Sequence, residues 1–281
     1  MTGVFSSSLG WVRNRTPVST TPPEGFSPDP RRRNAAELID RWGLWIAPVL
    51  IAGLAGLLAL YHRSLDLDNA VMQQRSALSW SGKLWPQTLQ HLEIAAYSTL
   101  LVIVIAIPLG VLLTRPAFRR VAPTLMTVAN SGQAFPAYVL LVGGLFLLGN
   151  GTATVVYCLA LFALLPVLRN TMVGLDGVDR NVIEAGRGMG MTRRLVLTRI
   201  ELPLAVPVIL AGVRTAMVLN IGMATLAFLI GGGALGITIS SGLKLNQDPV
   251  LIVGAVMVAI VALTFDWLGA VAERYLRPRG L

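Results

Sequence analysis

The chain has 281 residues, of which 54% are hydrophobic and 13% are charged, and its formal net charge at pH 7 is +9. Soluble domains carry about 25% charged residues, so the composition argues against a soluble enzyme and indicates a membrane protein. The basic residues cluster beside apolar segments, which favours a membrane surface over nucleic acid as their partner. The single cysteine, Cys158, excludes an intrachain disulfide and a metal site built on a cysteine cluster.

The N-terminal region differs in composition from the rest of the chain. Residues 1–40 contain several prolines among Ser, Thr and Gly without apolar periodicity, so we predict a disordered tail. Arg31-Arg32-Arg33 then precede an apolar run, as in a twin-arginine export signal. The run is too long for a signal peptide and no cleavage site follows it. We therefore predict a retained first transmembrane helix and an external loop over residues 41–87.

Apolar segments of membrane-spanning length recur along the chain. One helical span requires about 20 residues. Six segments satisfy this, at about 42–61, 88–113, 121–148, 152–173, 202–230 and 249–273. The third contains Gly132 and Pro136, so we expect that helix to be kinked or broken. The sequence thus predicts an all-α polytopic membrane protein with about six transmembrane helices.

The distribution of Lys and Arg among the loops predicts the orientation. Eighteen of them lie in the N-terminal tail, the 114–120 loop, the 169–201 segment and the C-terminal end, against four on the other side. Cytoplasmic loops are enriched in Lys and Arg. We therefore predict that both termini are cytoplasmic, including a basic tail at 276–281, and that the polar segment 174–202 (the 174–202 loop) is cytoplasmic too.

The 174–202 loop carries signals for two short helices. Asp179 is a candidate N-cap for a helix over Arg180–Arg187, because its carboxylate can accept a bond from a free backbone N–H. Gly188-Met189-Gly190 ends that helix, and Thr192 can cap a second one. A short helix with small and apolar residues, rimmed by charge, is suited to a groove on another protein. An amphipathic interfacial loop without a partner, basic only through its orientation, is the alternative.

The same loop carries a recognisable motif. Glu184-Ala185-Gly186, Gly190 and Ile200-x-Leu202-Pro203 resemble the EAA signature of bacterial ABC-importer permeases. The flanking sequence is similar to the osmoprotectant branch of that family, which imports glycine betaine, choline, carnitine and related quaternary amines. The similar segments are 184–192, Leu165–Thr171, Gly212-Val213-Arg214-Thr215-Ala216 and Ile230–Gly236. The resemblance covers about 85–275, and Gly186 departs from it because the family usually has a second alanine there.

The resemblance implies a function without catalysis by this chain. It implies an ABC type I importer permease fold with its core at 88–275, in the bacterial inner membrane. It also implies a dimer of ABC ATPases that binds ATP and Mg, an extracytoplasmic binding protein, and a second permease that is either the same chain or a paralogue. We expect no cofactor, metal or nucleic acid to bind this chain. The expected ATPase-docking residues are Asp179, Glu184, Ala185, Gly186, Arg187, Gly188, Gly190, Arg193, Ile200, Leu202 and Pro203.

Polar residues inside the spans are candidates for the translocation path or for bonds between helices. These candidates are Asn130, Gln133, Phe135, Tyr138, Asn220 and Thr225. Arg214 lies deep in the fifth span, where a charge is costly, and Asp266 in the sixth span is its expected partner. Gly231–Gly236 matches G-x-G-x-x-G without a βαβ setting, so we expect a flexible break rather than a dinucleotide site.

Two other transport functions remain open at this stage. One is an ABC importer permease for another small solute, such as an amino acid or a sulfonate. The other is an ion-coupled secondary transporter, which would require acids buried in the membrane. Only Asp266 lies deep in a span, and Glu93 lies near the end of one, so the second alternative is the weaker.

Overall fold

The computed structural model describes residues 30–133 and 135–276, and every regular element in these ranges is helical. The described chain divides into two units between Gly43 and Leu44. The first helix, α1, begins at Pro30 rather than at residue 41, where the sequence predicts that the tail ends. The rest of the predicted tail, residues 1–29, and the C-terminal residues 277–281 lie outside the described residues.

The helices follow one another with short connections. They are α1 (Pro30–Ser64), α2 (Met72–Ala77), α3 (Trp85–Leu113), α4 (Ala122–Gln133), α5 (Ala137–Leu148), α6 (Thr152–Asp176), α7 (Arg180–Gly188), α8 (Arg193–Val196), α9 (Leu202–Ala224), α10 (Gly236–Lys244) and α11 (Asp248–Leu276). Single π-helical turns, Trp80–Leu84 and Leu197–Glu201, precede α3 and α9, and a 3₁₀ turn, Ala227–Ile230, follows α9.

Five helical segments in the described part of the chain are long and apolar enough to cross a membrane. They are Leu44–Ser64, Trp80–Leu113, Thr152–Asp176, Arg193–Ala224 and Asp248–Leu276. The segment predicted as the third span is instead divided into α4 and α5, each of 12 residues. The break falls between Gln133 and Ala137, beside Pro136, so the predicted interruption is confirmed. The described residues are therefore all-α and polytopic, with five candidate spans instead of the six predicted and a shorter apolar helix, Ala137–Leu148, in the region of the third.

Helix α6 packs closely against both α3 and α9, and small residues lie where they cross. Gly110 of α3 faces Thr171, since a Cβ at Gly110 would lie 2.7 Å from Thr171 Cβ. Gly212 of α9 faces α6, and a Cβ there would lie 2.7 Å from Asn170 Cβ and 3.0 Å from Pro166 O. Lipid tails are as apolar as the side chains on the helix surface, so the hydrophobic effect does not drive membrane helices together. They associate instead through close van der Waals contact of this kind.

Polar side chains near the start of α3 hold the segment that follows α9. Gln87 Oε1 accepts a hydrogen bond from Thr238, and Gln90 Oε1 accepts one from Ala234 N at 3.1 Å. His91 Nε2 lies 2.9 Å from Ile221 O. The run Gly232–Gly236 is buried beneath these contacts. The predicted break is confirmed, since α9 ends at Ala224 and α10 begins at Gly236, and hydrogen bonds from α3 hold the turn between them.

Two alanine substitutions on α9 test the close crossing with α6. Gly212→Ala places a methyl group against Asn170 and the Pro166 carbonyl, and overpacking of this kind costs about 1–3 kcal/mol. Gly222→Ala is the matched control on the same helix, since a Cβ there meets no described atom within 4 Å. Thermal unfolding in detergent should show a lower midpoint for Gly212→Ala only. Equal midpoints for the two variants would contradict the packing described here.

Candidate functional site

The 174–202 loop is built around α7, whose first turn is capped by a side chain. Asp179 Oδ1 accepts a hydrogen bond from Asn181 N at 2.9 Å, which satisfies one of the N–H groups left free at a helix start. The helix then runs to Gly188, one residue beyond the end predicted from the sequence. Both the cap and the helix are confirmed.

The other end of α7 is closed by a glycine in the left-handed conformation. Gly190 has a φ of +84°. Its N–H donates to Arg187 O at 2.9 Å, and Met191 N donates to Gly186 O at 3.1 Å, which is the pair of bonds of a Schellman motif. Thr192 Oγ1 then accepts from Leu195 N at 3.4 Å and caps α8. The glycine thus turns the chain sharply between the two helices.

Helix α7 has two faces of different character. Val182, Ala185 and Met189 follow one another at helical spacing and are exposed, with 43% of Val182 and 73% of Met189 accessible to solvent. Gly186 is buried on the inner face, where a Cβ would lie 2.6 Å from Ile200 Cδ1. Gly186 and Ile200, both predicted to dock, therefore lie against each other inside the loop. They position α7 instead of forming its exposed surface.

Charged residues surround the exposed face of α7. Glu184, Arg187 and Arg193 are all exposed, and none of them forms an ion pair with another described residue. Ala185 and Gly188 are exposed between them. The surface is a short apolar stripe flanked by one acidic and several basic groups, which is the pattern expected of a helix that enters a groove on a partner.

The end of the loop is anchored in the helical core. Leu202 is half-buried and packs beside Leu175 of α6 and Ala205 of α9, while Pro203 is exposed in the first turn of α9. Proline cannot donate a backbone hydrogen bond and crowds the carbonyl four residues earlier. The π-helical turn Leu197–Glu201 lies immediately before it, and a widened turn is one way in which a helix accommodates such a residue. Leu202 consequently anchors the C-terminal end of the loop in the helical core.

An ion pair that was not predicted from the sequence joins the C-terminal end of the loop to the end of α3. Arg115 Nη2 lies 2.6 Å from Glu201 Oε2, and only 7% of the Glu201 side chain is exposed. The available signal was an acidic residue within the apolar stretch that leads into α9, together with a basic residue directly after α3. Because the two are 86 residues apart, only the fold brings them together.

The path candidates near the α4–α5 break lie mostly on the surface of the chain. Asn130 is exposed, and 57% of Phe135 and 54% of Tyr138 are accessible. Gln133 is partly buried, and its Nε2 donates to Phe162 O of α6 at 3.1 Å. Three of these four residues are thus available to a partner or a solute, whereas Gln133 holds the end of α4 against α6.

The two candidates in α9 are placed differently. Asn220 is 1% exposed, and its amide lies 3.0 Å from Thr99 Oγ1 of α3 and 3.1 Å from Leu159 O of α6. Thr225 Oγ1 donates to Gly222 O within its own turn at 2.6 Å. These contacts favour a bond between helices for Asn220, which is the alternative to path lining that the sequence left open.

Arg214 and Asp266 form a two-pronged ion pair between α9 and α11. Nε and Nη2 of Arg214 donate to the two carboxylate oxygens of Asp266 at 2.6 and 2.7 Å, and Glu273 Oε2 lies 3.9 Å from Nη1. A Cβ at Gly269, which lies between these two acids along α11, would be 2.9 Å from Arg214 Cγ. The glycine therefore lets the arginine stem lie against α11, and two carboxylates surround its charge.

The described residues hold no group of three or more His, Cys, Asp and Glu that could bind a metal ion. Cys158 is buried in α6 and its sulfur lies 3.4 Å from Leu140 O. It packs beside Gly144, where a Cβ would be 2.4 Å from the sulfur. Cys158 is thus a core residue of the contact between α5 and α6.

Comparison with known families and relatives gives consistent matches. Residues 106–278 match the family described as binding-protein-dependent transport system inner membrane component. The choline transport system permease protein OpuBB of Bacillus subtilis is 43% identical over 200 residues, which cover 71% of this chain and 91% of that protein. The osmoprotectant import permease protein OsmY of Salmonella typhimurium is 40% identical over 222 residues, which cover 79% and 91%.

Solved structures share the fold at lower sequence identity. A chain of the MetNI methionine ABC transporter in an inward-facing conformation aligns with a TM-score of 0.60 and 22% identity, over 68% of this chain and 94% of that one. A chain of an amino acid ABC transporter aligns with a TM-score of 0.56 and 19% identity, over 68% and 92%. At this identity the likeness shows the architecture of the helices alone.

Two glycines of the 174–202 loop should respond differently to alanine. In Gly186→Ala the flexible end of Ile200 must move aside, but alanine stabilises the helix by about 0.5–1 kcal/mol relative to glycine. We therefore expect little net change in the stability of α7. Gly190→Ala forces a side chain into the left-handed region at about 1–2 kcal/mol. Deuterium exchange of the Met191 amide should then accelerate about 5- to 30-fold in Gly190→Ala only. Equal exchange rates in both variants would refute the assigned geometry.

Proposed function

The chain belongs to the family of inner-membrane components of binding-protein-dependent transport systems, and we propose that it imports a quaternary-amine osmoprotectant. Family membership makes it a multi-pass permease subunit of an ABC importer.

We infer that α7 docks into a cleft of an ABC ATPase. The observation that carries this inference is the exposed stripe of Val182, Ala185 and Met189, flanked by Glu184 and Arg187. A side-chain cap from Asp179 at one end and a Schellman motif at the other stabilise this short helix without a partner. ATP and Mg then bind to the ATPase chains, and this subunit contributes the surface that their movement displaces.

The proposed cycle needs three kinds of partner besides the lipid membrane. They are a dimer of ATPases on the cytoplasmic side, a second permease that is this chain or a paralogue, and a binding protein on the opposite side. The excess of Lys and Arg beside α7 and at the chain ends supports the cytoplasmic placement of the 174–202 loop and of both termini. Closure of the ATPase dimer would rotate the permease halves as rigid bodies between inward- and outward-open states.

A quaternary amine is the proposed solute because of the named relatives and of the charge around Arg214. Relatives at 40–43% identity are named for choline and osmoprotectant import, and another at 42% for glycine betaine, carnitine and choline. An unpaired arginine in the path would repel a cation such as choline, but Asp266 and Glu273 neutralise Arg214. Amino acids and sulfonates are the alternative solutes.

Charge reversal on α7 tests the docking surface. We expect Glu184→Lys, and Gly190→Asp at the turn, to reduce both the co-purified ATPase and the uptake by about tenfold or more, which corresponds to about 1.4 kcal/mol of binding. Asp176→Lys is the control, because Asp176 is exposed at the last residue of α6 and a cation at a helix C-terminus is favourable. Normal ATPase binding and uptake in both Glu184→Lys and Gly190→Asp would exclude this surface as the docking site.

Uptake by the reconstituted complex with its binding protein tests the solute class. Labelled choline, glycine betaine or carnitine should accumulate only when ATP is enclosed with the ATPase, and each should compete with the others. Methionine and taurine serve as an amino acid and a sulfonate for comparison. ATP-dependent accumulation of either of these, with no competition by quaternary amines, would replace the proposed solute but leave the docking surface intact.

A further inference from the structure

The ion pair between Arg115 and Glu201 connects the end of the 174–202 loop to the end of α3. Arg115 is the second residue after α3, at the start of the connection to α4. Its Nη2 donates to Glu201 Oε2 at 2.6 Å, and its Nε donates to Val111 O in the last turn of α3 at 3.2 Å. One guanidinium group therefore holds both the end of α3 and the end of the 174–202 loop.

The chemistry of this contact requires arginine. Carbonyl groups at a helix C-terminus lack partners within the helix. Val111 O accepts hydrogen bonds from both Thr114 Oγ1 and Arg115 Nε, while Nη2 of Arg115 donates to the Glu201 carboxylate. The planar guanidinium presents several donors in a fixed fork, whereas lysine presents a single flexible ammonium group. The contact is also shielded from water, because Glu201 is 7% exposed and Arg115 is 31% exposed.

The position of Glu201 gives the pair a mechanical consequence. Glu201 is the last residue of the π-helical turn that continues directly into α9, so any displacement of the loop reaches α9 through the backbone. Among the ion pairs of the described residues, only Arg115–Glu201 links the loop to α3. Around it Val111 of α3, Leu197 of the loop and Leu202 of α9 share one apolar cluster, which keeps the three elements in register.

We propose that Arg115 is a positioning residue that makes α3 move together with α9 when a partner displaces the 174–202 loop. The inference rests on the proposed function, in which the loop receives the movement of an ATPase. Without the guanidinium, α9 still follows the loop but α3 and the α4 segment beyond it lag behind. Hydrolysis of ATP would then continue while less solute is moved for each ATP.

The alternative is that the pair only stabilises the fold. Three variants distinguish this structural role from the transmission of movement. Arg115→Gln and Glu201→Gln each leave one group without its ionic partner, which destabilises a buried site, whereas the double variant removes both charges and recovers stability. If the pair only holds the fold, transport recovers with stability in the double variant. If it transmits movement, the double variant is stable and remains uncoupled.

The experiment compares these variants in the complete transporter, reconstituted in vesicles with its ATPase and binding protein. The readouts are bound ATPase, ATP hydrolysis, and choline taken up per ATP hydrolysed. We expect the double variant to bind ATPase normally and hydrolyse ATP, with uptake per ATP reduced about fivefold or more, the lower end of common coupling factors. Arg119→Gln, an exposed arginine of the same connection, is the matched control and should behave as the wild type.

Two results would overturn the proposal. One is a double variant with the wild-type ratio of uptake to hydrolysis, which would make the pair structural only. The other is loss of the ATPase from the double variant, which would assign the pair to docking. Failure of the proposed function itself is seen separately, because the wild-type transporter would then lack a bound ATPase or ATP-dependent uptake. If the single variants do not fold, the double variant alone decides.

Discussion

The close approach of α3, α6 and α9 is the constraint on which the rest of the structure depends. Lipid provides no hydrophobic drive for apolar helices to associate, so contact requires small residues that let the backbones come near. Gly110, Gly174 and Gly212 supply them, and at Gly174 a Cβ would lie 3.2 Å from Ala205. Once these helices are fixed, Asn220 can bond both neighbours of α9 and Arg115 can reach Glu201.

The 174–202 loop depends on that core while remaining largely exposed. Its ends are continuous with α6 and α9, its inner face closes on Ile200 and Val196, and its last acidic residue is tied to α3. These contacts hold α7 in place, so its exposed stripe lies on a fixed helix and not on a free loop. Such an arrangement lets a force applied at a small surface displace long helices as one body.

Much of the architecture could be predicted because membrane spans are encoded locally. Composition locates the spans, and Pro136 marks the break between α4 and α5. Asp179 and Gly190 likewise predict the two ends of α7 from the sequence, because helix capping depends on residues that are close along the chain. The family motif identifies the loop but not which residues face outward, and Gly186 is buried because Ile200 folds back over it.

Contacts between residues that are far apart along the chain could not be predicted from the sequence. The ion pair Arg115–Glu201 joins residues 86 positions apart, and the bonds from Gln90 that fix the glycine turn span 144. Each side chain alone resembles an ordinary polar residue near a span end. Their partners become evident only when the crossing of the helices is known, because the register of that crossing decides which polar groups meet.

The most direct test is the distance between spin labels at Met189, directly after α7, and at Phe118 in the α3–α4 connection. Both positions are exposed, and Cys158→Ser removes the native thiol. If the loop and the helical core move as one body, the distance in the reconstituted transporter is the same without nucleotide and with ATP bound. A shift of several ångströms between these states in an actively transporting sample would contradict the account.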